Sequence, residues 1–277
     1  MLEDTIGTAV AGTSQQGGRR EVAFRGGGFT LAPKQIHSWI AFAIIIGLWQ
    51  VAISRRWIDP VFLPSPWAIC EALWTLARSG DLWLNLSTSL IRIGWGWLFG
   101  TGLGLLVGIA MGLWSMSRAV GMPLVSALYP IPKIALLPLF ILWLGIGETP
   151  KIVTIASGVF FPTVIATFAG VDGTPRNLIR MAQSFNMPMW AIIWKVIMPS
   201  SLPAILSGFR ISVGVSLLLV VSAEMIGAQY GIGAFLLTAG NLMQTDDLMA
   251  GVVILSILGL GMGAILTMLE KAFLSWR

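Results

Sequence analysis

Between residues 39 and 269 the chain returns repeatedly to apolar runs of membrane length: 39–54, 84–113, 122–146, 152–170, 205–227 and 248–269. A bilayer core about 30 Å thick needs about 20 apolar residues of helix to cross it. In lipid the backbone must satisfy its own polar groups, and runs of this length do so as helices. The expected fold is therefore all-α and polytopic, with about six spans, the first of them slightly short. Only 10% of the 277 residues are charged, against about 25% in soluble domains. The net charge of +5 does not point to nucleic acid, because the basic residues flank apolar runs, as the positive-inside rule requires. A lone Cys70 and a lone His37 exclude an internal disulfide and make no metal site together.

Residues 1–36 are rich in Gly, Ser, Gln and Arg and read as a flexible cytosolic tail, leaving 37–277 as one transmembrane domain. With both termini inside, the cytosolic side holds Arg19, Arg20, Arg25, Lys34, Arg118, Arg176, Arg180, Lys195, Arg210, Lys271 and Arg277. The outer side holds Arg55, Arg56, Arg78, Arg92 and Lys151, and Lys133 lies within a span. That bias sets the expected orientation.

Several stretches predict more than a span. Ser65-Pro66 opens an amphipathic piece with Ile69, Leu73 and Leu76 on one side, expected to lie on the membrane surface. Gly96, Gly100, Gly104 and Gly108 recur every four residues, a smooth stripe that permits close helix contact. Residues 115–121 read as a short loop. Pro130, Pro132 and Pro138 interrupt the third span, and Pro162 is expected to kink the fourth. Residues 228–247 form an outer segment that can partly re-enter.

The longest polar interruption of the C-terminal half is 171–203, VDGTPRNLIRMAQSFNMPMWAIIWKVIMPSSLP. Thr174-Pro175 is a helix start, with a capping hydroxyl and proline at the first helical position. Leu178, Ile179, Ala182 and Phe185 share a helical face, and Asn186 suits a left-handed turn. Pro188 opens a second short helix that Pro199 is expected to end. The stretch is thus a cytosolic helix–turn–helix between two spans.

This helix–turn–helix resembles the coupling loop of ABC importer permeases, whose pattern is Glu-Ala-Ala, three residues, Gly, nine residues, Ile, one residue, Leu-Pro. The matching positions are Arg180, Met181, Ala182, Asn186, Val196, Met198 and Pro199. Ala182 and Pro199 are identical, and Arg180 reverses the charge of the family's Glu. The stretches FLPSPWAICEALWTL (62–76), YPIPKIALLPLFILWLGIGETPKI (129–152) and SAEMIGAQYGIGAFLL (222–237) resemble the aliphatic sulfonate, taurine and nitrate branch. The resemblance implies a type I ABC importer fold, a homodimer of permeases, two ABC ATP-binding subunits and a periplasmic or lipid-anchored substrate-binding protein, in the bacterial inner membrane. It also implies that Arg180, Met181, Ala182, Phe185, Asn186 and Pro199 serve coupling to the ATPase.

Catalytic motifs are missing. No lysine follows a glycine, so a Gly-Lys-Ser/Thr phosphate loop is impossible and ATP with its Mg belongs to partner subunits. The chain is read as a permease and not an enzyme. The alternative, an ion-gradient-driven secondary transporter, would show internal repeats. Charges inside a bilayer are functional candidates. Arg210 and Glu224, fourteen residues apart (224 − 210), fall on about one face of the fifth span with Gly214, Leu217 and Val221. That stripe is expected either to line the pathway or to place its two charges at opposite interfaces. Lys133 is expected to neutralise Glu224, attract an anion, or make a structural contact.

Overall fold

The computed structural model describes residues 35–274, with side chains from Trp39 onward. The expected tail, but for its last two residues, lies outside the described residues, as does Arg277. All regular structure among the described residues is helical. Helix α1 (Gln35–Ser54) is apolar around its circumference and exposes Trp39, Phe42 and Ile45, as a helix bathed in lipid would.

Helix α2 (Pro66–Ser79) begins where expected. The Ser65 hydroxyl accepts the Ala68 N–H at 3.1 Å, and Gly80 closes the helix at φ 89°. Directly after Gly80 a long helix, α3 (Asp81–Leu113), begins, and it is followed at once by α4 (Ser115–Leu128). The expected loop at 115–121 is therefore helical, with only Trp114 extended between the two. The prolines of the third span act as expected: α4 breaks at Tyr129–Pro132, and a 3₁₀ turn (Lys133–Leu136) leads into α5 (Leu137–Leu144), bent by 88° from α4. Helix α6 (Thr149–Asp172) runs as one element through Pro162.

The helix–turn–helix is α7 (Arg176–Ser184) and α8 (Met189–Ile192). Here the chain departs from expectation, because Pro199 does not end the second helix. A turn of π-helix (Ile193–Ile197) carries α8 directly into α9 (Met198–Gly227), giving 39 continuous residues. The wider turn moves aside the carbonyl that the Pro199 ring would strike, and proline within the first turn of α9 has no N–H to leave unpaired. The outer segment holds α10 (Ile232–Asn241), and α11 (Thr245–Phe273) completes the fold. Among the described residues four helices are long and apolar enough to cross a membrane, or five if α4 and α5 form one broken span. With α1 these occupy the six expected positions.

The glycine stripe is the axis of this arrangement. Gly96 lies against Ile155, Gly100 against Ala156 and Val159, Gly104 against Thr163, Gly108 against Thr167, and Gly112 against Val171. Both partners advance by four residues per step, so α3 and α6 run parallel. Helix α9 packs antiparallel to α6, with Gly158 beside Leu219 and Gly170 beside Ser201 and Ala204. The core at their junction holds Ile93, Ile155, Val159, Leu219 and Val220. The apolar side of α2 is spent on protein and not, as expected, on the membrane surface: Ile69 and Leu76 pack with Ala250 of α11.

A methyl group on Gly100 would lie 2.4 Å from the Ala156 carbonyl oxygen, which is backbone and cannot turn away. The change Gly100→Ala should therefore lower stability by about 1–3 kcal/mol, read as a lower midpoint of thermal unfolding in detergent. Gly102→Ala, where nothing lies within 4 Å, should leave the midpoint unchanged.

Candidate functional site

Two sites stand at opposite ends of the bundle. The parallel pair α3 and α6 ends at the helix–turn–helix, and the same pair begins at a buried ion cluster.

At the first end, Asn186 adopts φ 54° and reverses the chain, its N–H bonded to Gln183 O at 2.9 Å while the Met187 N–H reaches Ala182 O at 3.2 Å. Asparagine tolerates this conformation better than most side chains. The expected hydroxyl cap is not made. Thr174 is buried and its hydroxyl points back to Gly170 O, so Pro175 occupies the capping position. The four apolar residues expected on one face divide. Ala182 is 3% exposed and Ile179 packs beside it, in a cluster with Val171, Ile192 and Ile197. Phe185 is 74% exposed, and Leu178 and Met181 also face outward. One half of the motif thus fastens the element to α3 and α6, and the other half presents an apolar knob. Met181, Val196 and Pro199, distant in sequence, line one groove of about 360 Å³ with Leu178, Lys195 and Ser200. Arg180 is exposed, and Arg118 pairs with Asp172 near the base of the element.

At the other end, Glu224 is 1% exposed. Its carboxylate accepts from Ser89 Oγ at 2.8 and 2.9 Å, from Arg92 Nη1 at 2.7 Å and from the Gly233 N–H at 2.9 Å. Arg92 also donates to Tyr230 O at 2.7 Å and grips Glu148 with Nε and Nη2. Lys151 donates to Glu148 from the next turn at 3.1 Å. The cluster joins α3, the N-terminus of α6, the C-terminus of α9 and the start of α10. Glycine is required beside it, because a Cβ on Gly231 would fall 2.4 Å from the Glu224 carboxyl carbon and Gly231 has φ 129°. The hydrogen bond from Arg92, with a second from Lys151, holds the Glu148 carboxyl down to about 2, against the desolvation that opposes it. A depressed carboxylate contributes stability above its unfolded value and loses it as pH falls through the folded one. Glu148 therefore stays ionised from neutral pH down to pH 5.

These contacts redraw the expected pathway stripe. Glu224 turns into the bundle toward Arg92, and Leu217 and Val221 pack against the same core. Only Arg210 and Gly214 lie open, and Arg210 donates to Glu270 of α11 at 2.6 Å. Lys133 does not neutralise Glu224. Its Nζ donates to Leu128 O at 2.6 Å and Tyr129 O at 3.4 Å and lies 4.3 Å above the Phe161 ring centre. Arg92, assigned from sequence to the outer flank, is the partner that sequence reasoning missed. The available signal was its place eight residues inside the run 84–113, where an unpaired charge is costly.

Replacing Arg92 by Met leaves Glu224 buried without a counter-charge and should cost about 3–5 kcal/mol. Removing both charges in Arg92→Met/Glu224→Leu should cost less than the single change. Thermal unfolding of the purified variants measures both, and the wild-type midpoint should show no loss from Glu148 between pH 8 and pH 5.

Residues 100–275 match the family described as binding-protein-dependent transport system inner membrane component. The chain is 37% identical over 235 residues to the aliphatic sulfonates transport permease protein SsuC of Bacillus subtilis (strain 168), covering 85% of each. It is 35% identical over 240 residues to the taurine transport system permease protein TauC of Escherichia coli (strain K12), covering 85% of this chain and 87% of that one. Among solved structures, an inward-facing form of the MetNI methionine ABC transporter superposes with TM-score 0.57 at 20% identity, over 72% of this chain and 96% of that one. An amino acid ABC transporter with histidines gives TM-score 0.53 at 16% identity, over 73% and 98%. The fold is that of a type I ABC importer transmembrane domain, and no support accrues to a gradient-driven transporter. A multi-pass chain with this helical order, this helix–turn–helix and these relatives belongs to the binding-protein-dependent transport system inner membrane components, the permease subunits of ABC transporters.

Proposed function

We propose that this permease works as a homodimer in the bacterial inner membrane, with two ABC ATP-binding subunits on the cytosolic side and a substrate-binding protein outside. The observation that carries this reading is the helix–turn–helix, whose inner face is locked to the bundle through Ala182 while Phe185, Met181 and Leu178 project from it. An exposed apolar knob on a fixed base is what a rigid docking element needs. ATP and Mg are assigned to the partner subunits. Both termini are assigned to the cytosol, together with Arg176, Arg180 and Lys195 of the docking element. The cargo is assigned to small anions of the sulfonate, taurine or nitrate type, supported by relatives named for sulfonates and taurine. Of the residues first read as a pathway stripe, Arg210 and Gly214 remain open to line it, whereas Glu224 serves by holding α9 to α3.

The reading is tested by expressing Phe185→Asp and Ala182→Trp with the ATPase subunits. Phe185 is exposed, so Phe185→Asp should leave insertion and folding intact while copurification of the ATPase and ATP-driven uptake fall about ten-fold or more. Ala182→Trp should have the same effect by displacing the buried side of the knob. Full copurification and uptake by both variants would remove the docking assignment.

A further inference from the structure

Three cations lie inside the runs of membrane length, Arg92, Lys133 and Arg210, and of these all but Lys133 meet a carboxylate. Arg92 and Lys151 share Glu148, Arg92 holds Glu224, Arg118 holds Asp172, and Arg210 holds Glu270. Lys133 forms no such pair among the described residues. Its position follows from the proline chemistry of the broken span. In a continuous helix Leu128 O would accept the N–H of residue 132, but residue 132 is proline and has none. Leu128 O takes the Ile131 N–H instead, at 3.3 Å, and the Lys133 ammonium as a second, shorter donor at 2.6 Å, with Tyr129 O at 3.4 Å and the Phe161 face at 4.3 Å as further neighbours. Carbonyl oxygens and an aromatic face stabilise a cation without neutralising it. An ammonium has three N–H groups, and two carbonyls leave one of them free. The side chain is only partly buried, at an 88° bend flanked by the exposed Tyr129 and Pro132.

We propose that Lys133 is the residue that meets the anionic group of the cargo as it passes the break between α4 and α5. This rests on the reading of the chain as the permease of an anion importer. The carbonyl and ring contacts hold the ammonium in place when no cargo is present. A sulfonate, nitrate or carboxylate oxygen takes the free N–H, and the bond to Tyr129 O, the longer of the two, is the one that can be exchanged for a second anion oxygen. The transient pair cancels one charge in a medium where an isolated charge is costly. The bond to Leu128 O persists, so the ammonium stays anchored to the break while the longer bond to Tyr129 O is given up.

The test uses the complete transporter in liposomes, with its binding protein and ATPase subunits, supplied with taurine or ethanesulfonate. In Lys133→Gln the amide can still donate to Leu128 O while the charge is gone. Uptake per ATP hydrolysed should fall about ten-fold, with binding-protein-stimulated hydrolysis kept within about two-fold, and Lys133→Arg should retain most of the uptake. A purely structural lysine would lower hydrolysis and uptake together or leave both unchanged, and either result overturns the proposal. A second arm does not depend on the cargo. Lys133→Cys in a Cys70→Ser background should react with a membrane-impermeant anionic thiol reagent in at least one of the ATP-free and ATP-vanadate states. Absence of labelling in both states overturns the proposal. Labelling at position 133 in a transporter that moves neither sulfonate would retain the site and overturn the cargo class instead.

Discussion

The close approach of α3 and α6 is the constraint on which the other contacts depend. In lipid, apolar side chains gain little by leaving one hydrocarbon surface for another, so helices associate through fit and through polar contacts. The stripe from Gly96 to Gly112 removes the side chains between the two backbones, to the point that Ala156 O and Phe160 O would lie within 3 Å of an added methyl. With that pair fixed in parallel register, Ser89 and Arg92 on α3 and Lys151 on α6 start at the same level of the bundle. Gly112 and Val171 end together at the other level, where the helix–turn–helix attaches.

The ion cluster follows from that register. Arg92 and Glu224 are 132 residues apart, and only the antiparallel run of α9 beside α3 brings them together. Desolvating two charges is costly, and a good geometry with further hydrogen bonds is needed to offset it. Here Ser89, Gly233 N–H and Tyr230 O complete the set. The result holds α10 and the turn before α6 to the two long helices by directional bonds, where shape alone would permit sliding.

What could be read in the sequence was governed by local rules. The glycine period, the cap at Ser65, the proline break after Leu128 and the left-handed Asn186 each depend on a few neighbouring residues. The span order and the docking element followed from these and from the spacing of Ala182 and Pro199. What could not be read depended on partners far along the chain. Nothing local to Glu224 names Arg92, and nothing local to Pro199 announces a π turn that absorbs it. Phe185 and Ala182 look equivalent by helical spacing. One is exposed and the other buried because the ends of α3 and α6 cover a single side of α7.

The π turn at Ile193–Ile197 gives the molecule a mechanical property. From Met189 to Gly227 the chain is one helix of 39 residues, roughly 58 Å long at 1.5 Å per residue. Had Pro199 broken it, the docking element would hang on a flexible joint, and its movements would be lost there. Instead α8 is the short arm of a rod whose far end carries Glu224. A tilt of about 5° imposed at Trp190 displaces a free far end by about 5 Å, comparable with the width of a small anion.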